Sequence, residues 1–335
     1  MSDHFEFVQP LRGASFGGRV TLANAGPHEV IAAFERRPEM PATLLARAGG
    51  LLLLPGMDAM VNEPELLVRL SRVFGADVEN YRHTLTPVNM VHDTVPEIFI
   101  VSNVHPVNRR PPRRPEPPVT SDGALPTRFP HRRGWHTDQS YRRPPPDISL
   151  FLAVSPVTRD QGQTLFADGA AAYDALPPAL KARIEGLDGI HVSLSARRSR
   201  DEVLAGAAPR ELGAHEQPQR QPVVRVHPVT GRRALYLCEY GQMDWLEGPF
   251  AGLSPGPHGE GAALLHELMR HLTQREFLYV HEWSMGDLIV WDNRCLVHAA
   301  TWFDVETQSR VMWRTTVSGN PGTVYDGERK SWIVA

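Results

Sequence analysis

Cysteine is scarce, lysine is nearly absent, and no long apolar run occurs in the sequence. The two cysteines, Cys238 and Cys295, lie in no Cys-x-x-Cys pair, which excludes a disulfide framework and fits a reducing compartment. Apolar runs such as Leu51–Leu54 and 150–154 are far shorter than the ~20 residues that a membrane-spanning helix needs. The N-terminus lacks the basic and apolar regions of a signal peptide. We therefore expect a cytoplasmic protein with no membrane partner.

Charge of one sign is not in excess either. The formal net charge is −3 over 335 residues, so no global positive field would attract nucleic acid. Lysine occurs only at Lys181 and Lys330, and the other basic residues are arginines. Two explanations of this bias are open, a GC-rich coding sequence or selection for bidentate anion binding.

What the chain does contain is a series of short β-type segments separated by glycine and proline turns. No Pro/Gly/Ser linker divides it, so we expect a single domain of residues 1–335, mainly β with flanking helices, in a sandwich or barrel. The predicted strands are Leu51–Leu54, 97–101, 148–154, 287–291 and 310–318, with a hairpin of 222–227 and 234–238. The predicted helices are 63–74, 174–186, 261–272 and one that begins at 41 and ends at Gly49-Gly50.

Residues 106–130 stand apart from this pattern. The segment is rich in proline and contains Arg109, Arg110, Arg113 and Arg114, and so many prolines cannot sit inside a helix or a sheet. We expect a long surface loop, and a loop of this length is a candidate lid or binding element. A solvated insertion without a role is the alternative.

The tripeptide His136-Thr137-Asp138 is the first indication of a metal site. On a strand, residues i and i+2 point to the same side, so the imidazole and the carboxylate can bind one ion. Alone this pattern is weak, because an isolated buried histidine is usually a core residue. His298, which follows Trp291-Asp292-Asn293-Arg294, would complete two histidines and one carboxylate, the facial triad of non-haem iron(II) oxygenases. The sequence offers no cysteine–histidine cluster for a closed structural zinc site.

Arg310 and Arg314 follow this histidine and are four residues apart. If their segment is a strand, both side chains point to one side, with Met312 between them. Two buried arginines would need anions to satisfy them, and a dicarboxylate cosubstrate supplies one. Surface arginines on an edge strand are the alternative.

Four segments in this order resemble the taurine dioxygenase and 2,4-dichlorophenoxyacetate dioxygenase family. They are Trp135-His136-Thr137-Asp138, Gly162-Gln163-Thr164-Leu165-Phe166-Ala167-Asp168, Val226-His227-Pro228-Val229-Thr230-Gly231-Arg232 with Ala234-Leu235-Tyr236, and Trp291-Asp292-Asn293-Arg294 through His298, Arg310 and Arg314. The resemblance extends from about Phe74 to about Gly319. It implies a double-stranded β-helix (jelly-roll) core and an oxidoreductase that uses Fe(II), 2-oxoglutarate and O2. Its metal ligands would be His136, Asp138 and His298.

The resemblance also implies roles for residues around the metal. Arg310, helped by the hydroxyl of Thr164, would bind the distal carboxylate of 2-oxoglutarate, and Trp291 would pack near the iron. Arg314 matches an arginine that reaches the anionic group of the substrate in members acting on sulfonates or carboxylates. Support of the cosubstrate site is the alternative for Arg314.

Three positions differ from the taurine-specific pattern. Asn80 and His83 align with a histidine and a tyrosine near the substrate, and Arg132 stands where taurine enzymes carry an asparagine. We keep the three as candidate substrate residues, and the differences argue against taurine itself. Arg314 and the arginines that flank the metal motif indicate a small organic anion as substrate. For the flanking arginines, a solvated loop without a role in binding is the alternative.

Together these features predict a dioxygenase that hydroxylates a C–H bond of a small, anionic molecule and gives succinate and CO2. Asp138 favours hydroxylation, or a desaturation or cleavage that starts with the same hydrogen abstraction, over halogenation, because related halogenases replace this carboxylate by a small residue. The alternatives are the same chemistry on a larger natural-product intermediate or on a peptide, a zinc hydrolase at the same triad, and a catalytically idle jelly-roll binding protein. We expect no nucleic-acid partner, and a homo-oligomer is an open alternative to the monomer.

Overall fold

The computed structural model describes residues 9–20, 25–114, 134–239, 241–318 and 330–331. Over these residues the strands are β1 (Gln9–Pro10), β2 (Gly18–Arg19), β3 (Leu51–Leu54), β4 (Asp77–Val78), β5 (Phe99–Ser102), β6 (Ile148–Ser155), β7 (Thr164–Asp168), β8 (Asp188–His191), β9 (Gln219–Pro222), β10 (Val224–Val226), β11 (Arg233–Leu235), β12 (Leu278–His281), β13 (Leu288–Asp292), β14 (Leu296–Ala300) and β15 (Val311–Ser318). The α-helices are α1 (Pro27–Glu35), α2 (Met40–Arg47), α3 (Glu65–Arg72), α4 (Gly169–Ala175), α5 (Pro178–Ile184), α6 (Arg200–Leu204) and α7 (Glu260–Leu272). Short 3-10 helices occur at Asp58–Val61, Tyr81–His83, Val88–Met90, Leu194–Ala196, Ala214–Glu216 and Arg275–Phe277.

The strands form a larger and a smaller sheet and two separate two-stranded ribbons. The larger sheet has the order β1-β2-β3-β13-β6-β15-β4, and β5 also pairs with β15. Within it β2 and β3 are parallel, whereas the other neighbours are antiparallel. The smaller sheet has the antiparallel order β12-β7-β14, and the ribbons are β8–β9 and β10–β11. Strands distant in sequence therefore lie side by side.

Alternate side chains of the central strands enter different cores. On β6, Leu150 and Leu152 pack in a cluster with residues of α1, α2 and α3. Phe151 and Ala153, which point the other way, share a cluster with Phe166 of β7. This alternation is expected of strands that are covered on both faces. The inner faces of the two sheets thus pack on each other, and the first three helices cover the outer face of the larger sheet.

The outer face of the smaller sheet is covered by the other helices. Leu165 and Ala167 of β7 pack in a third cluster with Leu264 and Leu268 of α7. The helix α7 presents apolar residues at helical spacing to this core, as its sequence predicts. The order of layers is therefore helices, larger sheet, smaller sheet and helices. No helix in the described part of the chain is long and apolar enough to cross a membrane.

Most predicted elements agree with the structure, and two expectations are wrong. Leu51–Leu54 is a strand with the predicted bounds, and 261–272 lies within α7. The helix predicted at 174–186 is instead the end of α4 and all of α5, because Leu176 before Pro177 adopts an extended conformation. The segment around Asp138 is not a strand: His136 forms an isolated bridge, and a turn begins at Asp138.

Candidate metal and anion site

A single backbone bridge brings the two histidines together. The amide of His136 donates to the carbonyl of His298 (2.9 Å), and the amide of His298 donates to the carbonyl of His136 (2.7 Å). His298 lies on β14, so the bridge adds one residue to the edge of the smaller sheet. The centroids of the two imidazole rings are 4.2 Å apart as a result.

Asp138 completes the cluster from the turn that follows. Its Oδ1 lies 4.0 Å from Nε2 of His136 and 4.0 Å from Nε2 of His298. Potential ligand atoms of the three residues all lie within 4.8 Å of one another. The predicted convergence of these side chains is therefore present, although a bridge and a turn produce it instead of a regular strand.

The protonation of the histidines suits metal binding. Nδ1 of His136 lies 2.7 Å from the carbonyl of Gly134, so Nδ1 carries the proton and Nε2 keeps a lone pair that is available to a metal. Burial lowers the pKa of His136, and it lowers the pKa of His298 to about 3. Both rings are neutral at physiological pH, the form in which imidazole binds a metal. Two neutral imidazoles and one carboxylate are a donor set that suits Fe(II).

The carboxylate of Asp138 is fixed from two sides. Its Oδ2 accepts a hydrogen bond from the hydroxyl of Ser149 (2.7 Å), and its Oδ1 accepts one from the Arg314 guanidinium (2.5 Å). Burial alone would raise the pKa of Asp138, but the charge of Arg314 and the hydrogen bond from Ser149 hold it at about 2. Asp138 is thus ionised throughout the physiological range.

Asn293 ties this carboxylate to the sheet. Its Oδ1 accepts hydrogen bonds from the amide of Asp138 (3.2 Å) and from the indole of Trp291 (2.9 Å), and its Nδ2 donates to the hydroxyl of Ser149 (2.9 Å). These hydrogen bonds form a closed ring. Asn293 donates to Ser149, Ser149 donates to the carboxylate of Asp138, and the amide of Asp138 donates to Asn293. Asn293 is fully buried, so water does not compete for these bonds.

A cavity of about 530 Å³ opens in front of the cluster and is lined by Thr164, Trp291, Arg310 and Arg314 among others. This volume is within the range of ~300–1,000 Å³ that is usual for small-molecule sites. Thr164 accepts a hydrogen bond from the indole of Trp283 (3.0 Å), and the ring of Trp291 lies 4.9 Å from that of His298. The four residues predicted around the metal therefore all lie on this cavity.

Arg310 is the least satisfied polar residue of the cavity wall. It is 6% exposed, and its Nε and one terminal nitrogen are buried without a hydrogen-bond partner among the described residues. Burial, with a contribution from the charge of Arg109, lowers its pKa to about 10. A guanidinium in this position requires an anion, because an unpaired buried charge is costly.

The sequence matches the taurine catabolism dioxygenase TauD, TfdA family over residues 37–316. The chain belongs to this family. The family predicted from the four motifs is thereby confirmed.

Curated TauD, TfdA-type relatives match over part of their length. An alpha-ketoglutarate-dependent 2,4-dichlorophenoxyacetate dioxygenase of Cupriavidus pinatubonensis is 37% identical over 55% of this chain and 59% of that protein. A (S)-phenoxypropionate/alpha-ketoglutarate-dioxygenase of Sphingobium herbicidovorans is 38% identical over 57% of this chain and 63% of that protein. The matched segment thus spans less than two thirds of the length of these relatives.

A solved structure is similar over nearly the whole chain. The protein AAD-2, in complex with Mn(II) and N-oxalylglycine, superimposes with a TM-score of 0.64 at 28% identity and covers 92% of this chain and 95% of its own. The sheet-rich architecture with flanking helices is therefore that of a TauD, TfdA-type structure.

Two of the predicted substrate residues, Asn80 and His83, lie away from the cavity. Asn80 caps the 3-10 helix Tyr81–His83, where its side chain accepts a hydrogen bond from the amide of Arg82 (3.0 Å), and His83 is exposed. Neither belongs to the described residues that line the cavity. Tyr81 between them is buried, and its hydroxyl is hydrogen-bonded to Thr316.

The remaining predictions around the cavity fall partly outside the described residues. Arg132 lies outside them, as does the part of the 106–130 loop after residue 114. The described part of the loop lines the cavity through Arg109, Arg110, Pro111 and Pro112. A role of the whole segment as a lid stays a prediction.

Sequence reasoning missed the groups that support the ligands of this TauD, TfdA-type site. Ser149 lies in a strand that was predicted only as an apolar run, and Asn293 lies in a motif to which no role was given. The one available signal for Ser149 is a polar residue at a period-2 position of an otherwise apolar strand.

A second cluster, His227, Asp292 and Cys295, also has three potential ligand atoms within 4.8 Å. Its polar atoms are already used. Nε2 of His227 donates to Asp292 (2.9 Å), Nδ1 accepts from the amides of Val229 and Thr230, and Arg294 binds both carboxylate oxygens of Asp292. The cluster is a structural network, and we assign no metal to it.

Proposed function

We propose that this protein is a Fe(II)- and 2-oxoglutarate-dependent dioxygenase that hydroxylates a C–H bond of a small organic anion, giving succinate and CO2. The observation that carries the proposal is a buried arginine with unpaired nitrogens on the same cavity as a buried His-Asp-His cluster. A metal-binding set alone would also suit a hydrolase, but hydrolysis gives no reason for Arg310. We further propose that the two sheets form a jelly-roll core in a single domain.

Each residue of the cavity has a role in this proposal. His136, Asp138 and His298 would hold the iron, which supplies the oxidising power when bound together with 2-oxoglutarate and O2. Arg310 and the hydroxyl of Thr164 would bind the distal carboxylate of the cosubstrate. The ring of Trp291, which lies 4.9 Å from that of His298, would orient this imidazole.

Asp138 indicates the kind of reaction, and Arg314 supports Asp138. An ionised carboxylate occupies the ligand position that halogenases leave free, so we propose hydroxylation and not halogenation. Arg314 donates to this carboxylate, and we therefore propose that it supports the metal and cosubstrate site. The functions named for the two relatives, on 2,4-dichlorophenoxyacetate and (S)-phenoxypropionate, support a small anionic substrate.

Turnover of 2-oxoglutarate tests the proposal. Protein reconstituted with Fe(II) should form succinate from 2-oxoglutarate in the presence of O2, faster when 2,4-dichlorophenoxyacetate, phenoxypropionate or another small anion of a screened panel is added. Asp138→Ala should abolish this stimulated turnover, whereas Asp174→Ala, at a carboxylate that is 60% exposed, should retain it. The ligand assignment would be wrong if Asp138→Ala kept wild-type turnover, and oxygen-independent hydrolysis would favour the zinc hydrolase.

Arg310 allows a separate test of the cosubstrate. Arg310→Gln should raise the KM for 2-oxoglutarate by about 30-fold or more, because a buried charge-assisted hydrogen bond to a carboxylate is lost. Arg69→Gln removes an arginine of an exposed pair with Glu35 and should leave this KM unchanged. Unchanged KM values in both variants would remove Arg310 from the cosubstrate site.

The cellular setting of this activity is also a proposal. Both cysteines are free and buried, which supports a reducing compartment such as the cytoplasm. We propose a small-molecule substrate and no nucleic-acid or membrane partner.

A further inference from the structure

The described part of the proline-rich loop, residues 106–114, is anchored beside the strand that carries the site arginines. The amide of Arg109 donates to the carbonyl of Ser102 (2.8 Å) at the end of β5, and the side chain of Asn89 donates to the carbonyl of Pro106 (2.8 Å). Val107 is buried. Because β5 pairs with β15, these contacts fix the backbone of Arg109 next to the beginning of β15 and to Arg310.

The side chain of Arg109 lines the same cavity as Arg310 and Arg314. As a whole residue Arg109 is exposed, but desolvation of its guanidinium at the cavity and the positive charge of Arg314 lower its pKa, and the charge of Arg109 contributes to the lowered pKa of Arg310. The three guanidinium groups are therefore close enough to repel one another. Such a concentration of positive charge is stable when anions occupy the space between the groups.

Two of the three arginines already have a partner in the proposed function. Arg314 donates to Asp138, and Arg310 would bind the distal carboxylate of 2-oxoglutarate. The third guanidinium, that of Arg109, forms no hydrogen bond and no ion pair with any residue that the structure describes.

Glu202, an acidic residue of the cavity wall, is committed elsewhere. Its Oε2 accepts from the amide (3.0 Å) and the hydroxyl (2.6 Å) of Ser199 in the capping box of α6. Arg109 therefore lines the cavity with a guanidinium whose donors are not used by any of the described residues.

We propose that Arg109 is a specificity-determining residue that binds the anionic group of the substrate. The planar guanidinium fits a carboxylate or a sulfate group through two parallel hydrogen bonds. The inference rests on the proposed function, because it leaves the distal carboxylate of the cosubstrate to Arg310. It places substrate recognition on the 106–114 segment and away from Asn80 and His83.

Equilibrium binding tests this assignment without turnover. The protein, loaded with Mn(II) and 2-oxoglutarate, is titrated calorimetrically with phenoxyacetate, phenylacetate and octyl sulfate, and with the neutral phenoxyacetamide. We expect at least one anion to bind the wild type, and Arg109→Gln to weaken that binding about tenfold or more. The affinity for phenoxyacetamide should not change. The affinity of Arg109→Lys for the anion should lie between those of the wild type and Arg109→Gln, because lysine keeps the charge but cannot form two parallel hydrogen bonds.

Arg113→Gln is the matched control, since Arg113 is exposed in the same loop and does not line the cavity. This variant removes the same charge and should bind every probe like the wild type. The inference is overturned if no anion binds the wild type, if the two glutamine variants behave alike, or if Arg109→Gln weakens 2-oxoglutarate instead of the anion. Failure of the proposed function would appear separately, as loss of 2-oxoglutarate binding and turnover in the wild type.

Discussion

Asp138 depends on side chains from two other parts of the chain. Ser149 of β6 holds one of its carboxylate oxygens, and Asn293, in the turn between β13 and β14, holds both its amide and Ser149. Groups that orient a metal ligand in this way commonly change metal affinity about 10–100-fold when they are removed. Ser149 and Asn293 therefore act as positioning residues for the carboxylate.

Ser149→Ala should weaken metal binding by about tenfold or more, because the Asp138 carboxylate loses the hydroxyl that fixes its Oδ2. The dissociation constant of Mn(II) or Co(II), titrated in the absence of cosubstrate, measures the effect. Ser71→Ala is the control: Ser71 is another fully buried serine whose hydroxyl donates to a helical carbonyl, that of Leu67. Equal metal affinities of the two variants would show that the carboxylate does not need Ser149.

At the scale of elements, the turn between β13 and β14 connects the site to the hairpin of β10 and β11. Asp292, the last residue of β13, binds Arg294 of this turn with both carboxylate oxygens and accepts a hydrogen bond from His227, which follows β10. Burial would raise the pKa of Asp292, but the charge and hydrogen bonds of Arg294, with the hydrogen bond from His227, hold it well below its usual range. The ion pair therefore fixes the turn that carries Asn293.

Asp292→Asn should lower the free energy of unfolding by about 3 kcal/mol or more, since it leaves the buried guanidinium of Arg294 without its counter-charge. Urea unfolding at neutral pH measures the change. Asp174→Asn breaks an ion pair with Arg232 in which both side chains are largely exposed, and it should cost less than about 1 kcal/mol. Similar losses in the two variants would mean that the Asp292 network adds nothing beyond a surface pair.

Some of the helices and strands could be predicted from the sequence, and others could not. β3 and α7 follow from uniform patterns, an apolar run closed by Pro55-Gly56 and apolar residues at helical spacing. β7 and β14 were not predicted as strands, because functional polar residues such as Thr164 and His298 interrupt their patterns.

The convergence of His136, Asp138 and His298 could be predicted because the short motif His136-Thr137-Asp138 is followed by a histidine in the order typical of the family. The supporting contacts of Ser149 and Asn293 depend on pairing between distant strands, which no local pattern reports. The substrate role predicted for Asn80 and His83 depended on the alignment of a loop region with the taurine-specific pattern. The structure turns Tyr81 inward between them, and a shift of one residue changes which side chain faces inward.

At the scale of the whole molecule, two stacked sheets between layers of helices bury several ionisable groups far from water. His191 is fully buried, and its Nδ1 is hydrogen-bonded to the hydroxyl of Ser140 (2.8 Å). Burial lowers the pKa of His191 to about 3 from its ordinary value of 6.5. Between about pH 3 and pH 6.5, His191 therefore binds a proton in the unfolded chain but stays neutral in the folded protein.

This difference in proton binding predicts acid sensitivity. The contribution of His191 to stability should be constant above pH 6.5 and should fall as the pH decreases from 6.5 towards about 3, because the unfolded state binds more protons at this residue in that range. At pH 4.5 the contribution of His191 is roughly 2–3 kcal/mol, from two pH units at 1.36 kcal/mol each. Urea unfolding at pH 7 and pH 4.5 should therefore show a smaller loss in His191→Gln than in the wild type. His28→Gln, at a histidine that is 51% exposed, should lose as much as the wild type, and an equal loss in His191→Gln would contradict a neutral buried His191.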